Sequence, residues 1–190
     1  MSPRRLPLEY DRTAIHRDRP SLPAERLLEP LLLSVIELDA QIPTVLDFGC
    51  GRGADLAWLR RLGWQAEGYD PSFDRPMPAG LFGVVFCSYV LNVIPREERP
   101  GVVAEVAGKL ERGGLALVVV RAPRSVREAA ARGGWPRDAD GGWWSTPTTY
   151  QAAIDERELG QLARAAGLRP ADPRPGLGAV SGAAWGLFER

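Results

Sequence analysis

The chain has 190 residues, 24 basic against 24 acidic side chains, and 45% apolar residues, which suits one compact domain with an adequate core and argues against a general polyanion binder. Its 21 Gly and 17 Pro fall at the ends of apolar runs rather than in a repeat, which excludes a fibrous or low-complexity chain. Two cysteines, Cys50 and Cys87, and one histidine, His16, leave no disulfide framework and no metal site to expect, and point to a reduced, cytoplasmic setting.

The first twenty residues are polar and without periodicity. With Arg4, Arg5, Glu9 and Asp11 they lack the apolar centre of a signal peptide, and no later apolar run approaches the ~20 residues of a membrane helix. Leu27, Leu28, Leu31, Leu32, Val35 and Ile36 recur at helical spacing, predicting a helix over 22–38, capped by Ser21 and kinked or split by Pro30. Thr44 to Phe48 reads as a strand, Gly49-Cys50-Gly51-Arg52-Gly53 as a turn, and Leu56, Leu59 and Leu62 as a helix ended by Gly63. Trp64 to Tyr69 is a second strand, closed by Asp70-Pro71. The stretch from Pro71 to Leu81 is too short for the helix and strand that a full doubly wound sheet would place there.

Leu81 to Val90 and Leu115 to Val120 have the composition of strands buried on both faces, and the helix between them is expected over 96–111, stopping at Gly113-Gly114. Residues 122–147 show little periodicity beyond a helical turn at Val126 to Ala131 and form the longest candidate mobile segment. Asp155 and Glu158 make a capping-box signature for a helix carrying Leu159, Leu162 and Ala166, and Ala184 to Phe188 is the last strand.

A glycine turn between a buried strand and a helix lets backbone approach a ligand closely while the helix N-terminus offers unpaired N–H groups, so Gly49 to Gly53 is expected to bind a nucleoside-bearing cofactor. Asp70 ends the next strand, where a carboxylate can accept hydrogen bonds from both hydroxyls of a ribose. Gly49, Gly51 and Ala54 also satisfy the looser G-x-G-x-x-A pattern, which keeps a nicotinamide or flavin dinucleotide as an alternative. Asp47 disfavours it: a carboxylate there would repel a pyrophosphate but suit an ammonium or sulfonium group.

LDFGCGRG from Leu46 to Gly53, with GYDP from Gly68 to Pro71, resembles the nucleotide motifs of class I S-adenosylmethionine-dependent methyltransferases. A narrower likeness, to the DNA-phosphorothioation-associated methyltransferase family, is carried by RTAIHR at Arg12 to Arg17, SYVLNVI at Ser88 to Ile94 and TYQ at Thr149 to Gln151. The resemblance implies an α/β, Rossmann-like fold with a mostly parallel sheet and an antiparallel C-terminal strand, which the few residues after Pro71 shorten after the second strand. It implies S-adenosylmethionine as cofactor, with Gly49, Gly51 and Gly53 lining the methionine and ribose, Asp47 near the methionine amino group and Asp70 on the ribose. Cys50, Pro71 and Ser88 complete that candidate set, and the short segment after Pro71 departs from the usual acidic adenine contact.

Tyr89 and Asn92 follow a central strand at the sheet's carboxyl edge and are the candidate catalytic groups, with a packed Tyr and a helix-capping Asn as the plain alternative. His16 could serve as a general base if the N-terminal segment folds over the site. Cys50 needs no reactivity to sit in a tight turn, so no nucleophilic role is assigned to it. Arg121, Trp143 and Tyr150 are the candidate acceptor contacts, on an Arg- and Trp-rich stretch whose glycine pairs, Gly133-Gly134 and Gly141-Gly142, would act as lid hinges.

The expected layout is a single domain: an N-terminal helical segment over 1–40, a cofactor-binding core over 41–121, a candidate lid over 122–150, and a C-terminal helix and strand over 151–190. A small, partly anionic or aromatic acceptor is favoured over DNA or RNA, because zero net charge supplies no broad phosphate-neutralising face. A non-catalytic S-adenosylmethionine-binding regulator is the alternative of a different class, since no strong general base is evident. No membrane contact is expected, and no residue pattern points to a particular oligomeric state.

Overall fold

The apolar runs assemble into one six-stranded sheet. The computed structural model describes residues 8–40, 42–172 and 174–190; the charged start with Arg4 and Arg5 lies outside the described residues. In chain order the strands are β1 (Val45–Phe48), β2 (Ala66–Tyr69), β3 (Phe82–Ser88), β4 (Leu110–Arg121), β5 (Trp143–Thr146), β6 (Thr149–Gln151), β7 (Arg169–Pro170) and β8 (Ala183–Glu189). The main sheet has the order β2-β1-β3-β4-β8-β7, while β5 and β6 form a separate antiparallel hairpin. Strands β2, β1, β3 and β4 run parallel, and β8 inserts antiparallel between β4 and β7. Chain direction across the sheet reverses at β1, which opens a crevice at the carboxyl ends of β1 and β3.

The uninterrupted run from Leu115 to Val120 supplies both cores of the molecule. Leu115, Leu117 and Val119 join the core formed with Leu27, Leu28, Leu31 and Leu32, whereas Ala116, Val118 and Val120 join the core formed with Val103, Val106, Leu159 and Ala163. Burial on both faces is what a parallel strand covered by helices requires. The first core uses α1 (Glu29–Asp39) and α2 (Ala54–Arg61), and the second uses α3 (Arg99–Gly108).

Pro30 does interrupt the first helix, through a π turn over Ala24–Leu28 that runs directly into α1. Proline lacks the N–H that would close the preceding α turn, and a wider turn accommodates that loss. Ser21 caps the start, its Oγ accepting from the Ala24 N–H at 3.1 Å. After Pro71 there is only a 3-10 turn, Pro71–Phe73, so the shortened layer is observed.

Three expectations need correction. The helix expected over 96–111 ends at Gly108; Leu110 opens β4, opposite Phe82, and the strand passes through Gly113-Gly114 with a register shift in the facing strand. A Cβ on Gly114 would sit 3.0–3.1 Å from three backbone oxygens, so this glycine marks close strand approach rather than a helix end. The segment taken as irregular contains a regular helix, α4 (Pro123–Gly133), and the β5–β6 hairpin; alanine and arginine carry helix propensity even where apolar periodicity is faint. The capping box before α5 (Glu156–Ala165) is half formed. Asp155 Oδ1 accepts from the Glu158 N–H at 2.8 Å, but the Glu158 carboxylate turns away and accepts from Arg99 Nη1 at 2.7 Å.

Candidate active site

A cavity of about 800 Å³ opens at the carboxyl ends of the parallel strands, at the upper end of small-molecule sites. One side is the turn after β1. Gly49, Gly51 and Gly53 all have positive φ, and the Gly49 and Cys50 N–H groups both donate to the Tyr69 carbonyl, at 2.7 and 3.0 Å. A Cβ on Gly49 would lie 2.2 Å from Val90 Cγ2, so glycine is required there both for backbone angle and for room. Asp70 locks the turn to β2: Oδ2 accepts from the Gly51 N–H at 2.8 Å and Oδ1 from the Ser72 N–H at 2.9 Å. Each carboxylate oxygen has a second lone pair, which leaves acceptor capacity on the cavity wall.

Asp47 is buried on β1, and its Oδ2 has no hydrogen-bond partner among the described residues. Burial, reinforced by the charge of Asp55, pushes its carboxyl well above the ordinary range. A cationic donor is the partner that such a group lacks. Cys50 is a different case: burial, then Asp47, raises its thiol to about 12, so it stays protonated at neutral pH and is no nucleophile.

The other side is assembled from distant segments. Tyr89 leaves β3 with φ of 60°, an outlier for a residue with a Cβ, held there by its N–H donating to the Val119 carbonyl at 2.8 Å. Ser88 Oγ and Asn92 Oδ1 are buried without partners among the described residues. The Asn92 Nδ2 donates to Gln151 Oε1 at 3.4 Å, and Arg121 Nη1 donates to the same oxygen at 3.3 Å. A wall with unused acceptors and a bound neighbour to orient them can hold and steer a nucleophile.

A family model described as a methyltransferase domain matches residues 15–171. The chain belongs to this methyltransferase-domain family. No curated protein matches it. Among solved structures, the methyltransferase is similar to CcbJ from Streptomyces caelestis (18% identity, TM-score 0.61, covering 89% of this chain and 90% of that one). It is also similar to the 1,6-didemethyltoxoflavin-N1-methyltransferase of Burkholderia thailandensis, bound to 1,6-didemethyltoxoflavin and S-adenosylhomocysteine (18%, 0.59, 88% and 78%). A third neighbour is the magnesium protoporphyrin IX methyltransferase of Synechocystis PCC 6803, with bound S-adenosylhomocysteine (17%, 0.57, 96% and 93%). At these identities the likeness concerns the fold, which is the Rossmann-like class I methyltransferase fold.

The methyltransferase brings Asp47, Gly49, Cys50, Gly51, Gly53, Asp70, Pro71, Ser88, Tyr89, Asn92 and Arg121 to this one cavity. Three candidates stand elsewhere. His16 is exposed and not on the wall, although its neighbours Thr13, Ala14, Ile15 and Arg17 are, because Ser21 and Arg17 tie the N-terminal strap to Asp55 and the His16 side chain points outward from it. Trp143 packs its ring under the Arg137 guanidinium, 5.6 Å away. Tyr150 is buried in the core, its hydroxyl donating to Asp140 Oδ2 at 2.7 Å.

One member of each glycine pair read as a hinge also makes room for a ring. A Cβ on Gly142 would fall 2.0 Å from the Tyr150 hydroxyl, and one on Gly133 would fall 2.3 Å from Trp135 Nε1. Gly142 makes room for the buried Tyr150 ring and Gly133 for the half-buried Trp135 ring. Sequence reasoning singled out no role for Gln151, Ser125 or Ser181, which do line the cavity; only the TYQ likeness pointed at Gln151. Among the described residues, no group of His, Cys, Asp and Glu could hold a metal, and no helix is long and apolar enough to cross a membrane.

Proposed function

We propose that the chain transfers a methyl group from S-adenosylmethionine to a small-molecule acceptor. The observation that carries this reading is the meeting, in one cavity, of an unpartnered buried Asp47, a positive-φ glycine turn and Asp70 with the unused polar atoms of Ser88 and Asn92. The donor supplies an electrophilic methyl on a sulfonium. Asp47 would accept from the amino group of its methionine part, Asp70 from its ribose, and the turn from Gly49 to Gly53 would let it approach the backbone. Ser88 and Asn92 would orient the acceptor's nucleophilic atom, and Tyr89, fixed in its strained conformation, would close the wall between them. Holding the two reactants at attack distance in a site shielded from water is the main contribution such residues can make.

The small-molecule preference is supported by a cavity of small-molecule size and by neighbours named for toxoflavin- and porphyrin-type compounds. The narrower kinship with the phosphorothioation-associated family is supported by convergence: parts of RTAIHR, SYVLNVI and TYQ all line this cavity. A calorimetric titration tests the donor. Wild type should bind S-adenosylmethionine and S-adenosylhomocysteine with micromolar-scale affinity and ignore a nicotinamide dinucleotide; the reverse pattern would overturn the reading.

A further inference from the structure

The acceptor side of the cavity carries a cation without a counter-ion among the described residues. Arg121, the last residue of β4, is half-buried on the cavity wall. Its guanidinium donates from Nη1 to Gln151 Oε1 at 3.3 Å and from Nη2 to Ser125 Oγ at 3.4 Å, both neutral acceptors. No carboxylate among the described residues forms an ion pair with it, whereas Arg17 on the same wall is paired with Asp55 and the buried Arg99 with Glu158. Two of five N–H donors are used, so three are left for a ligand. Desolvation is the leading influence on Arg121 and lowers its pKa, as expected for a partly buried cation lacking an anion.

The surroundings are those of an oxyanion seat. Ser125, on the first turn of α4, and Ser181 and Gly182, from the turn before β8, face the cavity beside Arg121. They are drawn together by the pairing of Arg121 with Ala183 and by the Ala122 N–H donating to the Gly182 carbonyl at 2.8 Å. Asp47 in β1 and Asp70 just after β2 stand on the far side of the cavity, separated from Arg121 by β3 in the sheet order. Arginine's planar fork matches a carboxylate or a phosphate with two parallel hydrogen bonds.

We propose that Arg121, with Ser125 beside it, is the specificity-determining oxyanion subsite of the acceptor, so that the acceptor is a small molecule bearing a carboxylate or phosphate group. This rests on the methyl-transfer reading only for the word acceptor; the subsite itself is a property of the cavity wall.

The test is a calorimetric titration of benzoate, phenyl phosphate and neutral benzamide, run with and without saturating S-adenosylhomocysteine. Benzoate or phenyl phosphate should bind saturably and benzamide should not, the tighter of the two naming the oxyanion. Arg121→Gln should weaken that binding roughly tenfold to hundredfold, and Arg121→Lys should lose less, while S-adenosylhomocysteine affinity stays within about twofold. Should Arg121→Gln fail to fold, amide shifts in wild type serve instead: benzoate should move the signals of Arg121, Ser125 and Gly182. Absence of saturable oxyanion binding to wild type, binding indifferent to Arg121, or shifts confined to other regions would overturn the subsite. Failure of S-adenosylhomocysteine to bind, with oxyanion binding still dependent on Arg121, would instead strike the donor assignment and leave the subsite standing.

Discussion

The two sides of the cavity are built in opposite ways. The side proposed for the donor is almost continuous in sequence: Asp47, the glycine turn through Gly53, and Asp70 one strand later, held by backbone N–H bonds such as Gly51 N–H to the Asp70 carboxylate. The side proposed for the acceptor gathers Tyr89 and Asn92 after β3, Arg121 at the end of β4, Gln151 from the hairpin and Ser181 from the turn before β8. Backbone amides and a short local turn can serve one constant ligand, while side chains from separate loops are free to change with the acceptor. Substitutions should therefore separate cleanly, with donor-side changes acting on S-adenosylmethionine affinity and acceptor-side changes on turnover.

The sharpest break is expected from Gly51→Val. A branched side chain at φ of 54° strains the turn and occupies the donor's approach, so S-adenosylmethionine affinity should fall more than about hundredfold while circular dichroism stays native-like. Normal binding by a folded variant would remove Gly51 from the site. Asp70→Ala follows. It forfeits ribose hydrogen bonds of about 1–3 kcal/mol, a loss of affinity that calorimetry would read with oxyanion binding unchanged. Asn92→Ala should act on the other side, lowering kcat by roughly tenfold to hundredfold with donor affinity intact; a matched loss of donor affinity would erase the division between the sides.

Asp47 sharpens the comparison through pH. Its folded-state pKa is raised, chiefly by burial, so the stability contributed by the neutral carboxyl is complete below the ordinary carboxyl range and is lost as pH rises through the raised value. Asp47→Asn should raise the Tm of the ligand-free protein at neutral pH and flatten its acid-to-neutral profile. Donor affinity should behave oppositely, rising with pH across that window in wild type and staying low and flat in the variant. Equal Tm profiles would mean that Asp47 ionises freely.

The smallest effect is expected from Tyr150→Phe, which removes a hydrogen bond to Asp140 and a long one from Arg99, both outside the cavity. Stability should drop by about 0.5–1.5 kcal/mol while turnover per folded molecule is unchanged. A selective loss of turnover would return Tyr150 to the acceptor side.

What the sequence determined by itself is the part whose physics is local. A buried strand running into Gly49, Gly51 and Gly53 dictates the turn, Asp70-Pro71 dictates how β2 ends, and the shortage of residues after Pro71 dictates the missing layer; the apolar run Leu115 to Val120 likewise announces a strand buried on both faces. Tertiary structure decided whatever depends on partners far along the chain. Glu158 sits in a capping-box position yet pairs with Arg99 because packing of α5 on α3 brings that guanidinium within 2.7 Å. His16, Trp143 and Tyr150 have the chemistry of site residues, but the strap, the Arg137 stack and the Asp140 hydrogen bond turn them elsewhere, whereas Gln151 and Ser125 reach the cavity wall only because the ends of β4 and β6 meet the start of α4 there. Side-chain direction is fixed by long-range contacts whose energies are small and whose number is large, and no local spacing encodes their sum.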